Sequence, residues 1–150
     1  MPDTPPRLEC VFQKYAPPLY FVTFNTHRRR KLLANRKLHE AFIKFARKGE
    51  NRGICVGRYV FMPDHIHLFV RGSDDFLLTQ WARGLKRNLS EAILPNRPHW
   101  QKGFFDHLIR HSESYSAKWE YVLHNPVRAG LVTNPDDWPW QGEIRALEPS

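Results

Sequence analysis

Apolar residues change their spacing along this chain, and each change marks an element. Leu19 to Asn25 is rich in aromatic and β-branched residues and predicts a first strand. From Asn35 to Lys48 the spacing becomes helical. Leu38, Ala41, Phe42 and Phe45 fall at i, i+3, i+4 and i+7, and charged residues fill the rest. Ile54 to Met62 returns to strand, Pro63-Asp64 is a turn dipeptide, and His65 to Val70 completes a hairpin. Leu77 to Leu94 is an amphipathic helix whose buried face is Leu78, Trp81, Leu85, Leu89 and Ile93, ended by Pro95-Asn96-Arg97-Pro98. Phe104 to Ile109 predicts a fourth strand. Ser112 then stands as the N-cap of a helix running to about His124, where Asn125-Pro126 ends it, since a residue before proline is pushed out of helical geometry.

The order strand, helix, strand, strand, helix, strand, extra helix is the ferredoxin-like split arrangement, an α+β fold on an antiparallel sheet. Its usual strand order puts the first and third strands in the centre. Residues 1–14 read as a Pro-rich flexible arm, 15–133 as the folded domain, and 134–150 as a tail whose Trp138-Pro139-Trp140 packs back on the core.

A length of 150 residues suits one domain with a real core. No apolar run approaches bilayer length, and the amino terminus lacks the basic start and apolar stretch of a secretion signal, so a cytoplasmic location is expected. Cys10 and Cys55 show no paired ligand spacing, and Cys55 reads as a small buried hydrophobe. The net charge of +8 favours a polyanionic partner without identifying it. Two clusters suit phosphate contacts: Arg28, Arg29, Arg30 and Lys31 after the first strand, and Arg83, Lys86 and Arg87 on one side of a helix. A solvated charged face is the bland alternative for each.

The chemistry is concentrated in His65-Ile66-His67. Alternation along a strand puts both imidazoles on one face and Ile66 and Leu68 on the other. Such a pair is a candidate for holding a divalent ion, or else two half-buried histidines hydrogen-bonded at a sheet end. No further His or Cys stands nearby at tetrahedral spacing, which points to an open site and to Mg2+ or Mn2+, although imidazole alone does not exclude zinc. On the last helix Tyr121 and Asn125 are four apart and share a face. Tyr121 offers a phenol nucleophile and Asn125 an amide oxygen for the ion; the alternatives are a core aromatic and a helix cap. Tyr115 is the rival nucleophile. Asp106, His107 and Arg110 lie just before this helix and could orient a polyanionic partner or the tyrosine, or pair with each other.

Phe61-Met62-Pro63-Asp64-His65-Ile66-His67-Leu68, followed by Tyr121-Val122-Leu123-His124-Asn125-Pro126-Val127-Arg128-Ala129-Gly130-Leu131-Val132, resembles the REP-associated tyrosine transposases of the single-tyrosine HUH superfamily, related to the insertion-sequence-200-like enzymes. The resemblance spans about Leu19 to Trp140, where Trp138-Pro139-Trp140 looks like the family's closing segment. Tyr15 to Tyr20 departs from the Gly-Thr-Trp-Tyr-like motif many members carry before the first strand. The resemblance implies a ferredoxin-like HUH fold with an extra nucleophile helix. It implies His65, His67 and Asn125 as metal ligands and Tyr121 as nucleophile. It also implies cutting and rejoining of single-stranded, hairpin-containing DNA through a 5′-phosphotyrosine, by a monomer or homodimer associated with the bacterial nucleoid. Two other functions are weighed: a domesticated DNA-binding module without activity, and an HUH replication or transfer initiator, for whose extra domains this chain has little room.

Overall fold

The computed structural model describes residues 18–147, so the expected arm, residues 1–14, lies outside the described residues. Five strands form one antiparallel sheet: β1 (Leu19–Asn25), β2 (Cys55–Phe61), β3 (His65–Arg71), β4 (Phe105–Ile109) and β5 (Gln141–Glu143). Their order is β4-β1-β3-β2-β5. The first four follow the ferredoxin-like order, with β1 and β3 interior as the sequence predicts. β5 is an addition to the edge of β2.

Helices α1 (Arg36–Gly49) and α2 (Leu78–Ser90) cover one face of the sheet. Asn35 caps α1 by accepting from the Leu38 amide, which satisfies one of the helix's orphan donors. The apolar stripe of α1 supplies Leu38 and Phe42, and that of α2 supplies Trp81, Leu85 and Leu89, all to a cluster with Phe24, Val56, Phe61 and Leu68. The other face is covered by α3 (Ser112–Leu123) and the segment that follows it. Here Leu19, Phe21, Cys55, Val60 and Phe69 pack with Tyr115, Val122 and Trp138. Alternation along β3 therefore sends Ile66, Leu68 and Val70 into the first core. His65, His67 and Phe69 turn to the α3 side.

Two features differ from expectation. Residue His111, not Ser112, stands at the N-cap of α3, and its side chain makes no cap hydrogen bond. Asn125-Pro126 ends α3 but also opens a further helical turn, α4 (Asn125–Arg128). Proline lacks an amide hydrogen that a first helical turn leaves unbonded anyway, so it is at home there. The segment after α4 folds back: Trp138 is buried and donates its indole N–H to the Phe61 carbonyl at 3.0 Å. Among the described residues no helix is long and apolar enough to cross a membrane.

Candidate active site

The geometry begins with the β1–β3 register. Thr23 stands opposite His67, and Asn25 opposite His65. The Thr23 hydroxyl lies 2.9 Å from His67 Nδ1. Asp64, in the turn just before β3, has Oδ1 at 2.7 Å from His65 Nδ1. Each imidazole is thus held at Nδ1, which leaves both Nε2 atoms directed elsewhere. They converge on one side chain: Asn125 Nδ2 is 3.3 Å from His65 Nε2 and 3.1 Å from His67 Nε2. With Nδ1–H of His65 donating to Asp64, both Nε2 atoms accept from the amide; Arg29 Nη2 also lies 3.3 Å from His65 Nδ1. Phe21 stacks on His67, with ring centroids 5.3 Å apart, and fixes the plane of that ring.

Charge follows burial. Burial pushes the His67 imidazole down to about 3, with His65 and the charges of Lys118, Arg128 and Arg29 acting in the same direction. Burial also lowers His65, opposed by its bond to Asp64. For Asp64 burial works against the carboxylate, but the hydrogen bonds from His65 and Arg29 outweigh it and hold its pKa below the ordinary value. Both imidazoles are therefore neutral near pH 7, which is the form that binds metal.

That ordering has a consequence for acid stability. The folded His67 imidazole titrates far below the ordinary 6.5 of the unfolded chain, so between these values the unfolded state binds the extra proton. Stability is full above about pH 6.5 and falls as pH drops toward 3, by on the order of a few kcal/mol. Replacing His67 with Gln is expected to flatten the urea midpoint across that window, read by denaturation of the metal-free protein at a series of pH values.

Tyr121 occupies the last turns of α3, one helical turn before Asn125. It is 64% exposed, so it is not the core aromatic that its neighbours Trp119 and Val122 could suggest. The Arg128 guanidinium lies 3.8 Å from its ring centroid and donates to the Tyr121 carbonyl at 2.7 Å. Tyr115 is 7% exposed and packs with its ring 4.5 Å from that of Phe69, which makes it a core residue.

The basic clusters separate into two kinds. Arg28, Lys31, Arg83 and Arg87 carry no ion pair among the described residues; all four are exposed. The others are engaged. Arg29 Nε binds Asp64 Oδ2 at 3.0 Å. Arg30 donates to the carbonyls of Asn96 and Pro98, and Lys86 to those of Gln101 and Gly103, both bracing the loop after α2. Asp106, His107 and Arg110 are exposed and form no ion pair with one another among the described residues.

Reasoning from sequence passed over three residues here. Asp64 read only as a turn residue, although its position beside His65 was a usable signal. Thr23 becomes visible only through the strand register. Arg128 sat in the matched motif without a role. No group of three or more His, Cys, Asp or Glu side chains is placed to hold a metal among the described residues. The set that does converge is two imidazole nitrogens and an amide, which by a half-turn presents its oxygen at the same place. Two neutral nitrogen donors, one oxygen donor and open remaining positions fit a divalent ion that also binds substrate oxygens.

This topology, with two imidazoles and an amide converging just beyond the helix that carries an exposed tyrosine, is that of a known class. The family model described as "Transposase IS200 like" matches residues 18–120, and the chain belongs to that family. Within it, the resemblance is to the REP-associated tyrosine transposases. The chain is 33% identical over 128 residues to the REP-associated tyrosine transposase of Escherichia coli K12, covering 81% of this chain and 73% of that one. A solved structure of a REP-associated tyrosine transposase bound to a REP hairpin superposes with a TM-score of 0.72 at 28% identity, covering 87% of this chain and 80% of the other.

Proposed function

We propose that this transposase is a metal-dependent endonuclease and strand transferase for single-stranded, hairpin-containing DNA, working through a 5′-phosphotyrosine. The observation that supports it most is the meeting of His65 Nε2, His67 Nε2 and the Asn125 amide, one helical turn beyond an exposed phenol. The DNA partner is inferred from the superposable relative, which is bound to a REP hairpin.

His65, His67 and Asn125 would hold the ion. Bound Mg2+ or Mn2+ supplies neutralisation of charge on the target phosphate. The Tyr121 oxygen attacks phosphorus and its proton passes to water. The bond from phosphorus to the 3′ oxygen breaks, and that oxygen leaves as a hydroxyl after taking up a proton. The 5′ phosphate is then esterified to Tyr121, and no net energy is lost from the phosphodiester. Attack by a second 3′-OH reverses the step, frees the phenol and joins the new strand without ATP. Positioning is the protein's main contribution, as in other phosphoryl transfers. Thr23 and Asp64 fix the imidazoles and Arg128 fixes the tyrosine ring. Arg28, Lys31, Arg83 and Arg87 are free to meet backbone phosphates.

The test is incubation with Mn2+ and single-stranded hairpin oligonucleotides, followed by a denaturing gel. A protein–DNA adduct supports the reading. Tight binding with no adduct in any divalent metal identifies a binding module instead. The carboxylate that holds His65 is tested separately. Asp64→Asn replaces the carboxylate that orients His65 and pairs with Arg29. It is expected to weaken Mn2+ binding by about 10- to 100-fold in calorimetric titration, with little change in melting temperature.

A further inference from the structure

Phe105 is an exception among the phenylalanines of the described residues. It is 63% exposed, while its neighbour Phe104 turns inward and packs against Phe24 with ring centroids 5.7 Å apart. The register fixes what stands beside it. Thr23 of β1 pairs with His67 on one side and with Phe105 on the other. Directly paired residues point to the same face of a sheet, so His67, Thr23 and Phe105 form one row. Two strand spacings put the Phe105 backbone roughly 10 Å from that of His67. Phe21, in the next row, pairs with His107. The Lys118 ammonium lies 5.2 Å from the Phe21 ring centroid, so a cation flanks the same surface. An uncovered aromatic ring on the face that carries the histidine pair, with a lysine over the next row, has the chemistry of a platform for unpaired bases.

We infer that Phe105 is a base-stacking subsite, holding an unpaired nucleobase of the single strand close to the phosphate that meets the histidine pair. This rests on the strand-cutting role proposed above and deepens it. Any base has an aromatic face, so the subsite selects single-stranded over paired DNA and not one base over another. In a duplex both faces of each base are already stacked and the ring has nothing to take.

The test uses the full chain and an oligothymidylate of about 12 nucleotides, a length within the site sizes of single-strand binders. Binding is read by fluorescence polarisation. In parallel the same oligonucleotide carrying 5-iodouracil is irradiated and the photo-adduct mapped by mass spectrometry. Phe105→Ala is expected to weaken binding about 5- to 100-fold, Phe105→Trp to retain it, and the adduct to map to Phe105. Binding of a blunt duplex of the same length is expected to change with neither variant. The subsite is overturned if Phe105→Ala binds oligothymidylate as tightly as the unaltered protein, if the adduct maps away from β4, or if Phe105→Trp loses binding as Phe105→Ala does. None of these readouts needs strand cleavage. A protein that stacks the oligonucleotide on Phe105 yet forms no adduct with hairpin DNA keeps the subsite and loses the strand-cutting role.

Discussion

Tyr121→Phe is expected to abolish the covalent protein–DNA adduct and to lower strand cleavage by about 10³-fold or more. The substitution removes one oxygen and leaves the ring, so the contact with the Arg128 guanidinium survives. With Tyr121 mostly exposed, little packing is disturbed, and the melting temperature should hold within a degree or two of the parent. Loss of chemistry without loss of fold is the signature of a nucleophile. Tyr115→Phe gives the opposite contrast. That ring lies in the second core against Phe69, so the variant should keep forming adduct, and any cost should appear in stability. An adduct that persists in Tyr121→Phe would move the nucleophile elsewhere.

The second large effect concerns the imidazoles. His65→Ala and His67→Ala are each expected to cut metal-dependent cleavage on the order of 10²- to 10³-fold. Chelation by EDTA should do the same to the unaltered protein, and added Mn2+ should restore it but neither variant. The reason is geometric as well as chemical. Each ring is fixed at Nδ1 by a partner that does not depend on the ion, Thr23 for one and Asp64 for the other. The Nε2 atoms are therefore aimed before metal arrives, and of the three groups only the Asn125 amide has to turn over to bind it. Hairpin binding measured without metal should change little in either variant. If both variants cleave at the parental rate, the ion is held by other groups or is not needed.

Much of the scaffold was legible in the sequence because it is written in local periods. Strand β1 is predicted to its residue bounds, and the helical stripe of Leu38, Ala41, Phe42 and Phe45 marks α1. Alternation in β3 places the histidines on one face and Ile66 and Leu68 on the other, as the structure has them. Less local information was harder to read. β5, Gln141-Gly142-Glu143, has no apolar alternation and is a strand because β2 offers it an open edge. Pro126 was read as an end, and it is also a beginning. The basic residues were the least readable, since a charge does not announce its partner. Arg30 and Lys86 are spent on loop carbonyls 66 and 15 residues away or more, and Arg29 on Asp64. The convergence of Asn125 with His65 and His67 spans about sixty positions of chain and follows from topology, not from any local pattern.

Strand β3 lies between β1 and β2, neither of them an outer edge of the five-stranded sheet. Its amide hydrogens should accordingly be among the last to exchange with deuterated water, so the imidazoles stand on one of the firmest parts of the fold. Tyr121 rides on a helix laid against the outside of that sheet. If strands are broken and sealed as proposed, any travel between the two events falls to the helix and its cargo, while the histidines stay still.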